Sequence, residues 1–241
     1  MAHVFVTGSS DGLGRGAALE LLAAGHRVVV HARNPARAPA LKDLVDRGAE
    51  LVVGDLAEPD ETHDLAHQVA RLGRMDAVIH NAGTMQRPVL PVNVVAPYLL
   101  SVLLERPRRL VFLSSGMHRS GRADLSGFRR TGSRRGPSYS DSKLMVTALA
   151  AAFARLWPEV PSNAVDPGWV PTKMGGPSAP DDLRLGHVTQ VWLAVSTDPE
   201  ALTTGGYWHH QQRQEPHRAV HDVSFQDDLL HALAERTGVD V

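Results

Sequence analysis

The chain has 241 residues, of which 43% are apolar, and a formal net charge of −1 at pH 7. This length and apolar content suit one α/β domain, and the near-zero charge gives no reason to expect nucleic acid or an anionic membrane as a partner. The absence of cysteine excludes disulfides and cysteine-ligated metal. No apolar run is long enough to span a bilayer, and a strand pattern begins at residue 3, so we expect a cytoplasmic protein without a signal peptide.

Short apolar runs alternate with helical patterns along most of the chain. Strands are predicted at 3–6, 27–32, 50–53, 76–80, 109–113, 163–165 and 206–208. Helices are predicted at 15–24, 35–47, 61–72, 92–105, 138–156 and 183–196, with a last amphipathic helix at 225–235. Because Pro97 falls inside one of these patterns, we expect that helix to be kinked or shortened. The alternation indicates right-handed βαβ crossovers and a parallel sheet covered on both faces.

A glycine-rich turn, TGSSDGLG at residues 7–14, joins the first predicted strand to the first predicted helix. Gly8 suits a tight turn with positive φ, Gly12 lets a pyrophosphate approach the backbone, and Gly14 allows close packing of helix on strand. The free N–H groups at the start of the helix then attract the phosphates. This strand–turn–helix context predicts a dinucleotide-binding site.

Further motifs follow later strands. Asn81-Ala82-Gly83 follows the fourth strand, Ser114-Ser115 ends the fifth, and Pro167-Gly168-Trp169-Val170-Pro171-Thr172 follows the sixth. Tyr139 and Lys143 lie four residues apart on the long helix and therefore share one face. Together with the Thr-Gly-x-x-x-Gly-x-Gly spacing, these blocks resemble the short-chain dehydrogenase/reductase family. The long segment after Ser115 resembles that of retinol-dehydrogenase-like and daunorubicin-type carbonyl reductases.

The resemblance implies a fold and a set of site residues. The fold is a Rossmann-type, doubly wound parallel sheet of about seven strands in the order 3-2-1-4-5-6-7, in a single α/β domain over residues 1–241. The catalytic residues that the resemblance implies are Ser115, Tyr139, Lys143 and Asn93. The cofactor-binding residues that it implies are Gly8, Ser10, Asp11, Gly12, Leu13, Arg33, Asp55, Leu56, Asn81, Ala82, Gly83, Tyr139, Lys143, Pro167, Gly168, Val170 and Thr172.

The same resemblance implies a role for each catalytic side chain. Tyr139 gives a proton to a carbonyl oxygen or takes it back, Ser115 orients that carbonyl, and Ser114 is structural. A phenol with a pKa near ~10 transfers a proton slowly at neutral pH, so a nearby ammonium must stabilise the phenolate. Lys143 has that role and also bonds the nicotinamide ribose. Asn93 holds a water of the proton relay; alternatively, it is a polar group at a helix end, because only nine residues separate it from Gly83.

The end of the second predicted strand bears on the choice of cofactor. An acidic residue there would bond the ribose hydroxyls of NAD(H), but the sequence has Arg33 instead. A guanidinium can bind a 2′-phosphate in a bidentate way, so we expect NADP(H) rather than NAD(H). The alternative is that Arg33 is simply a solvated surface residue. Arg15 and Arg37 could add positive charge nearby.

Two aspartates near this region have structural alternatives. Asp11 lies inside the phosphate turn, where it more readily caps the first helix than binds a cofactor. Asp55 and the backbone of Leu56 are implied to hold the adenine edge; equally, Asp55 is a turn aspartate at the end of a strand. Thr172 is implied to bond the nicotinamide carboxamide or a phosphate.

The remaining segments are predicted to surround the site. Residues 116–138 form an excursion with solvated arginines, 173–185 a short lid, and 209–241 a C-terminal tail. The histidines of the tail follow no ligand spacing, so no metal is expected. The apolar run 144–153 fits the homodimer or homotetramer that the family commonly forms, or a monomer whose helix is deeply buried.

These observations favour an NADP(H)-dependent oxidoreductase that acts on the carbonyl or secondary alcohol of a small organic substrate. A second interpretation is a non-catalytic cofactor sensor or scaffold protein, favoured by the shortened segment before Asn93. A third is an epimerase or dehydratase on the same fold. The substrate itself is not identified by the sequence.

Overall fold

The computed structural model describes residues 1–129 and 136–241. Its strands are β1 His3–Val6, β2 Arg27–Ala32, β3 Glu50–Val53, β4 Ala77–His80, β5 Arg109–Leu113, β6 Ser162–Asp166, β7 Tyr207–His209 and β8 Gln212–Gln214. They form one sheet in the order β3-β2-β1-β4-β5-β6-β7-β8. The first seven strands pair in parallel, which confirms the predicted order, and β8 adds an antiparallel edge that the sequence did not indicate.

Helices connect the parallel strands. They are α1 Gly12–Ala23, α2 Lys42–Asp46, α3 Pro59–Arg71, α4 Ala96–Leu103, α5 Ser126–Arg129, α6 Tyr139–Leu156, α7 Leu185–Val195 and α8 Val223–Thr237. Two predicted helices are divided. The pattern at 35–47 gives a 3-10 segment at 35–41, which contains Pro39, followed by the short α2. The pattern at 92–105 begins as a π-helical turn at 91–95 and continues as α4, so the expected disturbance precedes Pro97.

Both faces of the sheet are buried, as the continuous apolar strands predict. On one face Phe5, Val78 and Phe112 pack with side chains of α3, α4, α6 and α8. On the other face the alternate strand residues, including Val4 and Ile79, pack with α1, α2 and α7. The sheet is therefore doubly wound, and ligands of such sheets bind at the carboxyl ends of the strands.

Part of the predicted C-terminal tail, residues 209–241, belongs to the core. Phe225, Leu229 and Leu233 of α8 belong to the same buried cluster as Met145 and Leu149 of α6. Helix α6 is thus enclosed within one chain, between the sheet and α8. This packing accounts for its apolar surface without a partner subunit, and the expected homo-oligomer stays a prediction.

The excursion after β5 begins with a 3-10 turn at 116–120 and contains α5. Arg119 and Arg122 bond to Glu215 and Asp141. The arginines that were predicted to be solvated also include Arg130, Arg134 and Arg135, which lie outside the described residues. Among the residues that the structure describes, no helix is long and apolar enough to cross a membrane, and no cluster of acidic and histidine side chains could hold a metal ion.

Candidate functional site

A cleft of about 1060 Å³ opens at the carboxyl ends of the central strands. It is lined by every predicted cofactor residue and by three of the four predicted catalytic residues, Ser115, Tyr139 and Lys143. Asn93 is the exception, because it is buried behind the wall of the cleft. Side chains from distant parts of the chain therefore meet where a doubly wound sheet binds ligands.

The glycine turn forms one side of the cleft at the start of α1. Gly8 has φ +66°, and a Cβ there would lie 3.0 Å from Cα of Ala82, so the turn rests directly on the end of β4. A Cβ on Gly14 would lie 2.5 Å from the carbonyl oxygen of Gly8. Only glycine allows this close approach of helix to turn, which agrees with the roles predicted for both residues.

Side-chain hydrogen bonds join the turn to the neighbouring strands. The amide of Asn81 donates to the carbonyl oxygens of Thr7 at 2.9 Å and Gly8 at 3.2 Å. On the other side, Nδ1 of His31 accepts from the Gly8 N–H at 2.9 Å. Nε2 of the same ring lies 2.7 Å from the carbonyl oxygen of Gly54, so it carries the proton. Sequence reasoning missed His31, although it lies near the carboxyl end of β2.

Asp11 does not cap α1 with its side chain, which corrects the sequence-based interpretation. It occupies the N-cap position, but its carboxylate accepts from Arg37 at 2.8 Å and from Lys173 at 2.7 Å. Burial acts to raise the pKa of Asp11, but the two cations hold that pKa below its usual value. The carboxylate thus joins the phosphate turn to the predicted lid. The first turn of α1 keeps its backbone donors free of a side-chain cap.

The region next to β2 and β3 carries the residues predicted for the adenosine end. Arg33 is well exposed, with its Nε 3.9 Å from a carboxylate oxygen of Asp55. Asp55 also accepts from the N–H of Ala57 at 2.9 Å, so it is a turn aspartate as well as a residue lining the cleft. Arg15 is engaged with Asp43 and does not line the cleft.

The start of α6 is fixed by a capping box. The Ser138 hydroxyl accepts from the Asp141 N–H at 3.1 Å, and the Asp141 carboxylate accepts from the Ser138 N–H at 2.9 Å. The helix therefore begins at Tyr139, and Lys143 follows one turn later on the same face. Nζ of Lys143 lies 5.6 Å from the centroid of the Tyr139 ring. The capping box and the helical spacing therefore place Tyr139, the predicted acid, beside Lys143, its predicted ammonium partner.

Lys143 is almost wholly buried. Its Nζ donates to the carbonyl oxygen of Leu113 at 2.6 Å, and it is near enough to Gly83 that a Cβ there would be 3.4 Å away. Burial lowers the pKa of Lys143 to about 8, against the opposing influence of the Asp166 carboxylate. The ammonium is therefore mostly protonated at neutral pH.

Tyr139 faces the cleft with its hydroxyl near Ser115 and Met174. Burial raises the pKa of Tyr139 to about 12, a hydrogen bond with the Ser115 side chain acts in the opposite direction, and Asp166 raises it further. The hydroxyl lies 3.9 Å from Sδ of Met174. In this environment the phenol holds its proton and is placed to donate it to a bound group.

The two serines that end β5 have different surroundings. Ser114 is buried, with its hydroxyl 2.6 Å from that of Thr147, so it ties β5 to α6 as predicted. Ser115 lines the cleft, and its side chain also accepts from the Met117 N–H at 3.2 Å at the start of the 3-10 turn. Ser114 also borders the cleft, but its hydroxyl is engaged with Thr147, so Ser115 is the better placed of the two to bond a ligand.

Asn93 lies within the π-helical turn that precedes α4. Its Oδ1 accepts from the Thr84 N–H at 2.8 Å, and its Nδ2 donates to the Thr84 carbonyl oxygen and to the Ser142 hydroxyl, both at 2.9 Å. A Cβ on Gly83 would lie 3.5 Å from Oδ1. Asn93 therefore holds the segment after β4 against α6, and its role in a water relay stays a prediction.

The loop after β6 covers the other side of the cleft. Pro167, Gly168, Val170 and Thr172 line it, and a Cβ on Gly12 would lie 3.3 Å from Cγ2 of Thr172. The predicted lid, residues 173–185, continues from this loop and is joined to the phosphate turn through Lys173. The loop and the glycine turn therefore form the two sides of one groove.

Asp166 is a site residue that sequence reasoning did not assign. It ends β6, is 8% exposed and lines the cleft. Its Oδ1 accepts from the Gly168 N–H at 3.0 Å, and its Oδ2 accepts from the Tyr207 hydroxyl at 2.9 Å. The available signal was its place at the carboxyl end of a strand, the rule that identified the other residues.

The residues of the cleft fit a nicotinamide dinucleotide. The turn before α1 has no β-carbon at Gly12, where φ is +54°, and α1 presents backbone donors without a side-chain cap. Such a cradle suits a pyrophosphate. The Tyr139, Lys143 and Ser115 side chains lie farther along the same continuous cleft, where they would face the other end of the cofactor.

Comparisons with known proteins agree with this geometry. The family model described as short chain dehydrogenase matches residues 2–97. The short-chain dehydrogenase chry4 of Gibberella zeae is 35% identical over 99% of this chain and 98% of its own length. The candidate daunorubicin C-13 ketoreductase DnrU of Streptomyces is 32% identical over 98% of this chain and 92% of its own.

A solved structure shares the fold at low identity. The complex of Pseudomonas aeruginosa RhlG with NADP has a TM-score of 0.70 and 23% identity, covering 86% of this chain and 93% of that one. The similarity to chry4 extends over nearly the whole of both chains, and the sheet order and the placement of the motifs agree with it. The protein belongs to the short-chain dehydrogenase/reductase family.

Proposed function

We propose that the protein is an NADP(H)-dependent oxidoreductase that interconverts a carbonyl group and a secondary alcohol of a small organic substrate. The observation that carries this proposal is the meeting of Ser115, Tyr139 and Lys143 in a cleft that also contains the glycine turn. A cofactor sensor or scaffold has no need of a buried ammonium beside a phenol. The geometry therefore favours an enzyme over that second interpretation.

The proton chemistry follows from the side chains. The phenol of Tyr139 is protonated at neutral pH and donates its proton to the carbonyl oxygen during reduction. The Lys143 ammonium, 5.6 Å from the ring centroid, stabilises the resulting phenolate. Ser115 orients the carbonyl oxygen towards Tyr139. A nicotinamide, when bound, would supply or accept the hydride. In the oxidation direction, Tyr139 takes the proton back.

The preference for NADP(H) rests on the charges at the adenosine end. Arg33 lines the cleft with two-thirds of its side chain exposed, which leaves its guanidinium accessible to a 2′-phosphate. Lys173 and Arg37 add positive charge, although Asp11 balances part of it. The NADP complex of RhlG supports the same choice by analogy of fold.

Thr172 and Asn93 complete the proposed machinery without direct proton transfer. Thr172, on the loop opposite Gly12, is placed to bond the nicotinamide carboxamide or a phosphate. Asn93 is a positioning residue, because its amide joins the backbone of Thr84 to Ser142 on the catalytic helix.

The Tyr139→Phe variant tests the proposal. It removes only the proton donor, so we expect reduction of a carbonyl panel with NADPH to fall by about 10²- to 10⁴-fold while NADPH binding is retained. Tyr98→Phe is the matched control: it also loses a phenol hydroxyl, but one that bonds to the Val239 carbonyl oxygen away from the cleft. Full activity in Tyr139→Phe would remove this residue from the mechanism. Release of oxidised cofactor during turnover would also exclude an epimerase or dehydratase.

A further inference from the structure

Large apolar side chains surround the cleft near the catalytic hydroxyls. Met85, Met117, Trp169 and Met174 all line it, and their exposed fractions range from 44% to 57%. A single exposed apolar residue needs no explanation, but several around one cleft indicate a surface that binds an apolar ligand. The rim is thus suited to an apolar substrate.

The loop that carries two of these side chains is closed on itself. The Trp169 N–H donates to the Asp181 carboxylate at 2.5 Å, and the Asp181 N–H donates to the Trp169 carbonyl oxygen at 3.1 Å. The indole N–H donates to the Gly175 carbonyl oxygen at 2.9 Å, and the Gly175 N–H donates to the Thr172 hydroxyl at 3.1 Å. The indole therefore stands in a fixed position before any substrate enters, which reduces the entropy lost on binding.

Met174 extends this apolar surface to the Tyr139 hydroxyl. Its sulfur lies 3.9 Å from the Tyr139 hydroxyl. A substrate whose carbonyl oxygen reaches that hydroxyl must therefore lie next to the thioether. Thioethers make favourable contacts with aromatic rings, and an indole offers a flat face for stacking. The neighbouring Lys173 ties this part of the loop to Asp11 and limits its movement away from the cleft.

We infer that Trp169 and Met174 are specificity-determining residues that select carbonyl substrates with an aromatic or fused ring close to the reacting carbon. The inference rests on the proposed oxidoreductase function. A ring can contact the indole and the thioether at once, whereas a short aliphatic ketone leaves both surfaces in water. The selectivity arises because these apolar contacts are available only to the larger substrate.

Matched pairs of carbonyl compounds provide the test. The ketones 4-phenyl-2-butanone and 2-butanone share the same reacting group, as do the aldehydes 3-phenylpropanal and propanal. We expect kcat/KM with NADPH to be at least about tenfold higher for each phenyl compound in the wild type. Trp169→Ala should lower that ratio about tenfold, and Met174→Ala should lower it less. Trp169→Phe, which keeps a ring, should preserve most of it.

Controls separate selectivity from general damage. Leu202→Ala removes an exposed apolar side chain outside the cleft and should leave the ratio unchanged. Fluorescence titration with NADPH reports whether the Trp169 variants retain the cofactor site. Equal kcat/KM values within each pair in the wild type, or an unchanged ratio in Trp169→Ala, would overturn the inference alone. Reduction of none of the four carbonyls by protein that binds NADPH would contradict the proposed function itself.

Discussion

Replacing Asp166 with asparagine should move the pH dependence of carbonyl reduction. The carboxylate opposes the effect of burial on Lys143, whose pKa is about 8, so loss of its charge should lower that pKa. A unit charge that faces an ammonium across a partly dry cleft contributes on the order of 1–2 kcal/mol. That energy corresponds to about one pKa unit, which would place the Lys143 pKa near ~7 in the variant.

The sign of the effect on activity follows from the role of the ammonium. Reduction leaves Tyr139 as a phenolate, which is stabilised only while Lys143 is protonated. Because the phenol itself has a pKa of about 12, it stays protonated, and activity is lost as the pH rises through the pKa of Lys143. Activity should therefore decline at a pH lower by about one unit in Asp166→Asn than in the wild type.

The assay is kcat/KM for one ketone with saturating NADPH, measured between pH 6 and about 9.5 in buffers of constant ionic strength. Tyr207→Phe is the control, because it removes the hydroxyl that donates to Asp166 at 2.9 Å but keeps the carboxylate charge. Its activity should decline at nearly the same pH as that of the wild type. If Asp166→Asn shows no shift, or if both variants shift equally, the electrostatic reasoning is refuted.

Two further predictions concern the cofactor and the stability of the fold. Arg33→Ala should raise KM for NADPH about tenfold and change KM for NADH little, because only NADPH carries the 2′-phosphate that the guanidinium would bind. Equal changes in steady-state assays would count against this contact. Burial lowers the pKa of His80 to about 3, so the unfolded chain binds an extra proton as the pH falls below 6.5. His80 should therefore lower the free energy of unfolding by about 2–3 kcal/mol between pH 7 and pH 4.5, as measured by urea unfolding. His80→Phe should remove this contribution to the pH-dependent loss of stability, whereas substitution of the exposed His231 should leave it in place.

The sheet order was predictable from the sequence, and so was the meeting of Ser115, Tyr139 and Lys143 in one cleft, because each has a local signal. Continuous β-branched runs specify buried parallel strands, and residues that follow such strands collect at one edge of the sheet. Tyr139 and Lys143 needed only the helical period, and Ser138 and Asp141 supply the capping box that fixes where that helix begins. Gly8 required positive φ, which glycine readily adopts.

Other features depend on contacts that no local pattern records. Strand β8 is short and polar, and it exists because its backbone pairs with β7 after a tight turn. Asp11 has the residue type of a helix cap, but two cations from distant segments compete for its carboxylate. For β8 and Asp11, a tertiary contact outweighed the local preference. The short connection after β4 likewise gives the Asn93 amide a backbone partner at Thr84 that no local pattern records, and the water relay stays a prediction.

The residues proposed for proton transfer and those proposed for substrate selection lie on different elements of the cleft. Tyr139 and Lys143, the proposed proton donor and its ammonium partner, lie on α6, which is held by a capping box and by the core. Trp169 and Met174, in contrast, lie on a loop whose hydrogen bonds are largely its own. Substitutions in that loop can therefore change which carbonyl compound fits while leaving the proton-transfer geometry in place. The proposed reaction type therefore rests on sequence motifs, whereas the inferred substrate class rests on the packing of the loop.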